Sequence, residues 1–421
     1  MIKLNSKVTD ESNFYGKTDP ISLVEQFGSP LYVYNEAIFR ERAKEMKNFV
    51  PYKNFRINYS AKANSNIALL QIINDVGLDA ECMSPTELTM ELMAGFAPEN
   101  ILYLCNNVSA QEMKFAVERN ILMSVDSLSQ VELYGKVNPG GKVCVRFNTG
   151  VGAGHHEKVV TCGEDTKFGV NREYIPELKA ILAKYNLTLV GVNHHIGSLF
   201  MEITPYVQGA ANLFDVALEF PDLEFVDLGG GFGVPYRKQE GEARLDLEDA
   251  GKQLNELIEK FMKAYGREIV VKSEPGRYIS AEAGVLLGKV RVVKNNGPVK
   301  YVGTDFGMNV LARPVIYDSH HDMEVYRAAG EDCGTVEEVT VVGNVCETGD
   351  ILAKNRTLPK IQEGDVIGIL DAGAYGAVMS SNYNSRLRPA EVLIRENGEV
   401  VVIRERDTME ELLAKQKMIE V

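Results

Sequence analysis

FRINYSAKANSN, Phe55 to Asn66, runs an alternating strand into a lysine just where a helix is about to begin. Side chains on a strand point to alternate faces, so Phe55, Ile57, Tyr59 and Ala61 share one face and Arg56, Asn58, Ser60 and Lys62 the other. One face is therefore polar, and what it looks at decides the fold.

Working outward, the same grammar recurs in LDAECM, ILYLCN, LMSVDS, KVCVRFNTG, LVGVNHHIGS, EFVDLGGGFG and EIVVKSEPGR, each an apolar run with a polar end. Helical patterns lie between most of them. In LEDAGKQLNELIEKFMKAYG, residues Leu247, Ala250, Leu254, Leu257, Ile258 and Phe261 fall at helical spacing, and Gly266 is placed to end the helix. Eight β-then-α units predict an α/β architecture, a parallel sheet closed as a (β/α)8 barrel over residues 35–280. Strands ringed by helices turn an apolar face outward, so the polar face should point into the barrel, with Lys62 at the C-terminal mouth.

The texture changes after residue 281. GVLLGKVRVVK, VKYVGTDFG, EEVTVVGNVCE, GDVIGILDAG and AEVLIRENGEVVVI read as strands joined by Gly- and Asn-bearing turns, with ENGE at 396–399 a hairpin of the Asn-Gly type. A second, all-β domain, a sandwich or barrel over 281–421, is expected, and the segment 1–34 with its apolar PLYVY is assigned to it.

A net charge of −14 argues against a general nucleic-acid or anionic-membrane surface, because both require a positive field. MIKLNSKVTDESNFYG has no apolar core of a leader, and no apolar run approaches spanning length, so a soluble cytoplasmic protein is expected. The six cysteines show no CxxC spacing and read as reduced thiols.

The other strand ends contribute Asp79, Glu81, His195, GGGFG at 229–233 and EPGR at 274–277. A lysine shielded from water can lose its proton and form a Schiff base with a carbonyl, whereas a lone lysine is more commonly a cation paired with a neighbouring carboxylate. A glycine cluster after a late barrel strand suits a phosphate but also makes an ordinary flexible turn. A Rossmann reading is poor, because VPYRKQEGEARLD follows the glycines in place of a helix. The histidines come as adjacent pairs (155–156, 194–195, 320–321), and neighbours on a strand face opposite ways, so no metal is expected. His195 could lay its ring on a flat cofactor or be a satisfied core histidine. Glu274 and Arg277, three apart around Pro275–Gly276, could face one ligand or form a surface pair; Arg277 suits carboxylate or phosphate, and Glu274 a protonated ring nitrogen.

In this order, YSAKAN, HHIGS, GGGFG, EPGR, DFGMN with ARP, CETGD, and GAYG with SSNYNSRLRPAE resemble the pyridoxal-phosphate-dependent decarboxylases of the alanine-racemase-like fold. The likeness covers nearly the whole chain. It implies pyridoxal 5'-phosphate on Lys62, His195 stacked on the ring, and Glu274 at the ring nitrogen. It further implies Ser198, Gly230, Gly231 and Arg277 as phosphate or nearby carboxylate contacts, Tyr375 closing that end, and Asp79 as the acid near the lysine. For the substrate it implies Arg313 at a carboxylate with Tyr317 beside it, Arg277 and Tyr375 nearby, Glu347 at a distal ammonium, and Cys346 returning a proton to the α-carbon. Cys346 and Glu347 would act across a homodimer with shared sites.

The reaction so implied is decarboxylation of meso-2,6-diaminopimelate at its D-centre to L-lysine and carbon dioxide; the alternative is a sister enzyme acting on D-lysine, D-ornithine or another basic amino acid. TGVGAGHHEKVVT at 149–161 departs from the family pattern, and His194 stands where members often carry another residue. A metal-dependent barrel hydrolase and a non-catalytic cofactor-binding protein are the readings from other classes.

Overall fold

A computed structural model describes residues 7–152, 154, 161–163, 166–327 and 335–420. The segment at 149–161 that departs from the family pattern, with His155 and His156, lies mostly outside them, as does Cys333. The chain forms two compact units: a barrel unit of residues 40–234 and 244–279, and a sheet unit of residues 1–39, 235–243 and 280–421.

The barrel unit is built from β1 (Phe55–Ser60), β2 (Asp79–Cys82), β3 (Ile101–Leu104), β4 (Leu122–Val125), β5 (Lys142–Asn148), β6 (Thr188–Asn193), β7 (Phe225–Asp227) and β8 (Val270–Ser273). Each pairs in parallel with the next, and β8 returns to β1 through Val271 opposite Phe55, so the predicted barrel is closed. A closed sheet leaves no open edge, and every backbone group finds a partner within it.

Local sequence sets the ends of the intervening helices. Asn66, Ser84, Ser109, Ser127 and Asp246 each accept a backbone N–H at a helix start. Gly77 and Gly266 close helices Ile67–Val76 and Leu247–Tyr265 in the left-handed conformation, at φ +77° and +81°. The alternation of the opening stretch holds up to Ser60. Asn58 and Ser60 are buried and bond toward the next strand, Asn58 to the Ala80 carbonyl and Ser60 to the Glu81 carboxylate. The strand stops there, and Lys62 rides on a short 3-10 turn, Ala61–Ala63.

The sheet unit carries a nine-stranded mixed sheet. Leu31–Asn35, the PLYVY strand, is an interior strand, antiparallel to Gly284–Asn296 and parallel to Ala390–Ile394. The ENGE hairpin forms, joining Ala390–Ile394 to Val400–Arg404. Its loop is longer than a two-residue turn: Arg395 and Glu399 pair at its base, and Gly398 takes φ +87°. That is the three-residue hairpin with a glycine bulge, which needs one left-handed residue.

Gly251, inside helix Leu247–Tyr265, supplies a test of barrel packing. Alanine there would gain about 1 kcal/mol in an open helix. Here its Cβ would meet the Phe49 carbonyl oxygen at 1.7 Å, so the helix has to move away. Gly251→Ala should therefore lower barrel stability by about 1–3 kcal/mol in urea unfolding; an unchanged or raised midpoint would contradict this packing.

Candidate active site

The strand ends of the barrel unit bring Lys62, His195, Ser198, Gly230, Gly231, Glu274 and Arg277 to one mouth. Lys62 Nζ donates to both oxygens of Glu81, at 2.9 and 2.7 Å, and the Ser60 hydroxyl donates to Glu81 Oε2 at 2.5 Å. Glu81 has no exposed side-chain surface, while Lys62 keeps 30% of its own. The carboxylate is thus an internal anchor, and the amine remains reachable.

Asp79 does not hold the expected position. It opens β2, two residues before Glu81, and pairs with Arg56 at 3.2 Å. Residues two apart on a strand share a face but sit about 7 Å apart along it, so Asp79 faces the wrong end of the barrel to meet Lys62. The acid beside the lysine is Glu81.

At the end of β7, Gly229, Gly230 and Gly231 pack where no side chain fits. A Cβ on Gly230 would lie 2.0 Å from the Glu274 carbonyl, and one on Gly231, at φ +113°, 2.4 Å from the Gly197 carbonyl. The Gly230 amide donates to His195 Nδ1 at 3.1 Å. This makes Nδ1 an acceptor and leaves Nε2 to carry the hydrogen. Burial holds His195 well below the ordinary histidine range, and the Lys62 and Arg146 charges push the same way. Across the loop, Ser198 Oγ accepts from Arg277 Nε at 3.3 Å and Nη2 at 3.0 Å.

Glu274 follows β8 and is buried against Asp227 at the end of β7; apart from one another, Glu274 Oε1 and Asp227 Oδ2 meet no hydrogen-bond partner. Burial raises both carboxyls, and for Glu274 the adjacent Asp227 charge raises it further. Two carboxyls sharing a dry site repel when both are ionised, so a cationic donor placed against them would be favoured. Sequence reasoning missed Arg146 on β5, a half-buried guanidinium whose field reaches Glu274, Asp126 and Glu81. The legible signal was a charge inside a barrel strand, in VCVRF.

The remaining candidates belong to the sheet unit. Arg313 is buried; its Nη1 donates to His321 Nε2 at 2.7 Å, His321 Nδ1 is held by the Leu370 carbonyl at 2.7 Å, and the guanidinium lies over the Tyr236 ring at 4.4 Å. Tyr317 ends the short helix Arg313–Tyr317. Tyr375 is half-buried and takes a left-handed φ of +54°. Cys346 and Glu347 are exposed, bonded to Asn384 and Tyr383. Among the described residues no group of three or more His, Cys, Asp or Glu side chains is arranged to hold a metal ion, and no helix is long and apolar enough to cross a membrane.

A parallel barrel with a carboxylate-anchored lysine, a glycine loop and a buried carboxyl pair at one mouth is a site suited to a carbonyl-bearing cofactor. Residues 36–281 match the family model described as pyridoxal-dependent decarboxylase, pyridoxal binding domain. The chain is 39% identical over 415 residues to the diaminopimelate decarboxylase of Methanothermobacter thermautotrophicus, covering 96% of this chain and 95% of that one. It is 34% identical over 409 residues to that of Escherichia coli K12, covering 94% and 95%. Among solved structures, diaminopimelate decarboxylase from M. jannaschii in complex with L-lysine superposes with a TM-score of 0.85 at 33% identity, covering 95% of each chain. The chain belongs to the diaminopimelate decarboxylase family of pyridoxal-dependent decarboxylases.

The neutral histidines make a pH prediction. Burial lowers His194 from 6.5 to about 3. Protons then bind the unfolded chain first: the stability His194 confers is complete above about pH 6.5 and is lost as pH falls toward 3, by up to about 1.4 kcal/mol per pH unit. His194→Gln should flatten the fall in stability between pH 6 and 4, followed by urea unfolding at each pH. An unchanged slope would mean that His194 is not held neutral.

Proposed function

We propose that this chain removes the carboxylate from the D-centre of meso-2,6-diaminopimelate, using pyridoxal phosphate, and releases L-lysine and carbon dioxide in lysine biosynthesis. The observation that carries the reading is the buried Glu274 oxygen, partnered by nothing but Asp227, in the same barrel mouth as the Glu81-anchored Lys62. The residues fit the cofactor: a ring N–H would satisfy Glu274, and the Arg277 guanidinium with the Ser198 hydroxyl, in the same barrel mouth, offers charge and donors to a phosphate. When bound, pyridoxal phosphate supplies a protonated pyridine ring that accepts the electron pair left as carbon dioxide departs.

In this proposal Lys62 holds the cofactor covalently, and Glu81 orients the lysine amine. Glu274 accepts the ring N–H, and Asp227 opposite keeps that carboxyl receptive to a cation. His195, held neutral, would place no second charge beside the bound ring. Ser198, Arg277 and the backbone of Gly230 and Gly231 take the phosphate. Toward the substrate, Arg313 and Arg277 take carboxylate oxygens, Tyr317 and Tyr375 pack beside them, Glu347 takes the distal ammonium, and Cys346 returns a proton to the α-carbon.

The active form we propose is a homodimer in which each chain's CETGD loop serves the other's site. In support, Cys346, Glu347 and Tyr383 are all exposed in the single chain. The proposed location is the cytoplasm, in keeping with free thiols at Cys82, Cys105, Cys144, Cys162 and Cys346.

Purified protein with cofactor and meso-diaminopimelate should yield L-lysine and carbon dioxide in equal amounts, with D-lysine and D-ornithine turned over at least about a hundredfold more slowly. Preference for either of those would reject the substrate. Lys62→Ala should lower kcat by at least about a thousandfold, and near-normal turnover in that variant would reject the scheme.

A further inference from the structure

SSNYNSRLRPAE has no part in the mechanism above, yet its first half lies directly on the CETGD loop. The two segments run antiparallel: Tyr383 meets Glu347, Asn384 meets Cys346, and Arg386 donates to the Asn344 carbonyl at 2.7 Å. Asn384 makes the most specific contact. Its Oδ1 accepts the Cys346 backbone N–H at 2.9 Å, and its Nδ2 donates to the Cys346 sulfur at 3.1 Å. One planar amide thus grips the main chain and the thiol of the same residue, which fixes the rotation between them. The Tyr383 hydroxyl donates to Glu347 Oε1, a bond that pushes the hydroxyl up to about 12, and makes a weaker contact with the Cys346 side chain.

This arrangement is held against local strain. Asn384 and Ser385 both take φ +55°, a region that asparagine tolerates but that costs a serine about 1–2 kcal/mol. Folding alone gives little return for that cost, since Cys346, Glu347, Tyr383 and Asn384 are all exposed, where hydrogen bonds contribute little. The loop base is secured separately. Asp350 accepts from Met308 N at 2.6 Å and Val345 N at 2.9 Å, and it packs against Gly307 and Gly343 so closely that a Cβ on either would lie within 2.4 Å of it. The contacts from 383 and 384 therefore aim the two side chains of a loop already anchored at its base.

We propose that Tyr383 and Asn384 are positioning residues, a paired clamp in which Asn384 orients the Cys346 thiol for proton delivery and Tyr383 orients Glu347 toward the distal ammonium. This rests on the roles proposed above for Cys346 and Glu347. The two arms of the clamp should separate kinetically, because Asn384 grips Cys346 alone, while the main bond of Tyr383 is to Glu347 and its contact with Cys346 is the lesser one.

The test is steady-state kinetics of the cofactor-loaded enzyme on meso-diaminopimelate. Asn384→Gly keeps the left-handed backbone and removes the amide; it should lower kcat at least about tenfold with KM within about threefold. Asn384→Asp keeps the acceptor for the Cys346 N–H but not the donor to sulfur, and it should leave kcat depressed. Tyr383→Phe removes one exposed hydroxyl and should raise KM at least about fivefold with kcat within about threefold. Melting temperatures should stay near wild type, and Tyr383→Phe carries the test alone if the Asn384 variants melt early. The clamp is overturned if the variants match wild type, if kcat and KM move together in both arms, or if Asp restores full kcat. Wild-type turnover with indifferent variants removes the clamp alone, whereas a wild-type enzyme inert toward meso-diaminopimelate removes the functional reading as well.

Discussion

The rest of the site depends on the Glu81 carboxylate, held from two sides by Lys62 and Ser60. A carboxylate without exposed surface costs several kcal/mol in lost hydration unless donors replace the water. Here an ammonium and a hydroxyl do so, at 2.7 and 2.5 Å. The consequence is positional. The lysine amine is fixed at the barrel mouth by a group that the closed strands β1 and β2 place there, and its remaining exposure leaves it open to a carbonyl.

Around that pair the barrel interior separates charge by position. Lys62 and Arg146 supply cations, while Glu81, Glu274, Asp227 and Asp126 supply acids. His194 and His195 are kept neutral by burial, reinforced by Arg146 at both and by Lys62 at His195. A neutral imidazole beside a cationic ring adds no repulsion, and a carboxyl short of donors gains most from a ring N–H. The same low-polarity setting that makes Glu274 costly to bury makes it selective for a protonated partner.

Much of this was legible in the sequence because barrel strands announce themselves locally. An apolar run, a polar end and a capped helix recur, and Lys62, His195, Glu274 and Arg277 each stand at such an end. Asp79 misled for a reason of scale: its strand is four residues long, and an offset of two residues moves an acid from the lysine to the other end of the barrel. Arg146 was hidden because a strand pattern gives facing but not the company a charge keeps. The order of the mixed sheet was not readable either. Pairing Leu31–Asn35 with both Gly284–Asn296 and Ala390–Ile394 joins segments hundreds of residues apart, and no local pattern encodes such a choice. For the same reason the grouping of 235–243 with the sheet unit could not be seen in VPYRKQEGEARLD.

The central claim is that one amine, held by one carboxylate, carries the cofactor. Borohydride reduction of the cofactor-loaded protein followed by peptide mapping addresses it directly. The account predicts a single pyridoxyl group on the peptide containing YSAKAN, at Lys62; a label on another lysine, or none, would contradict it.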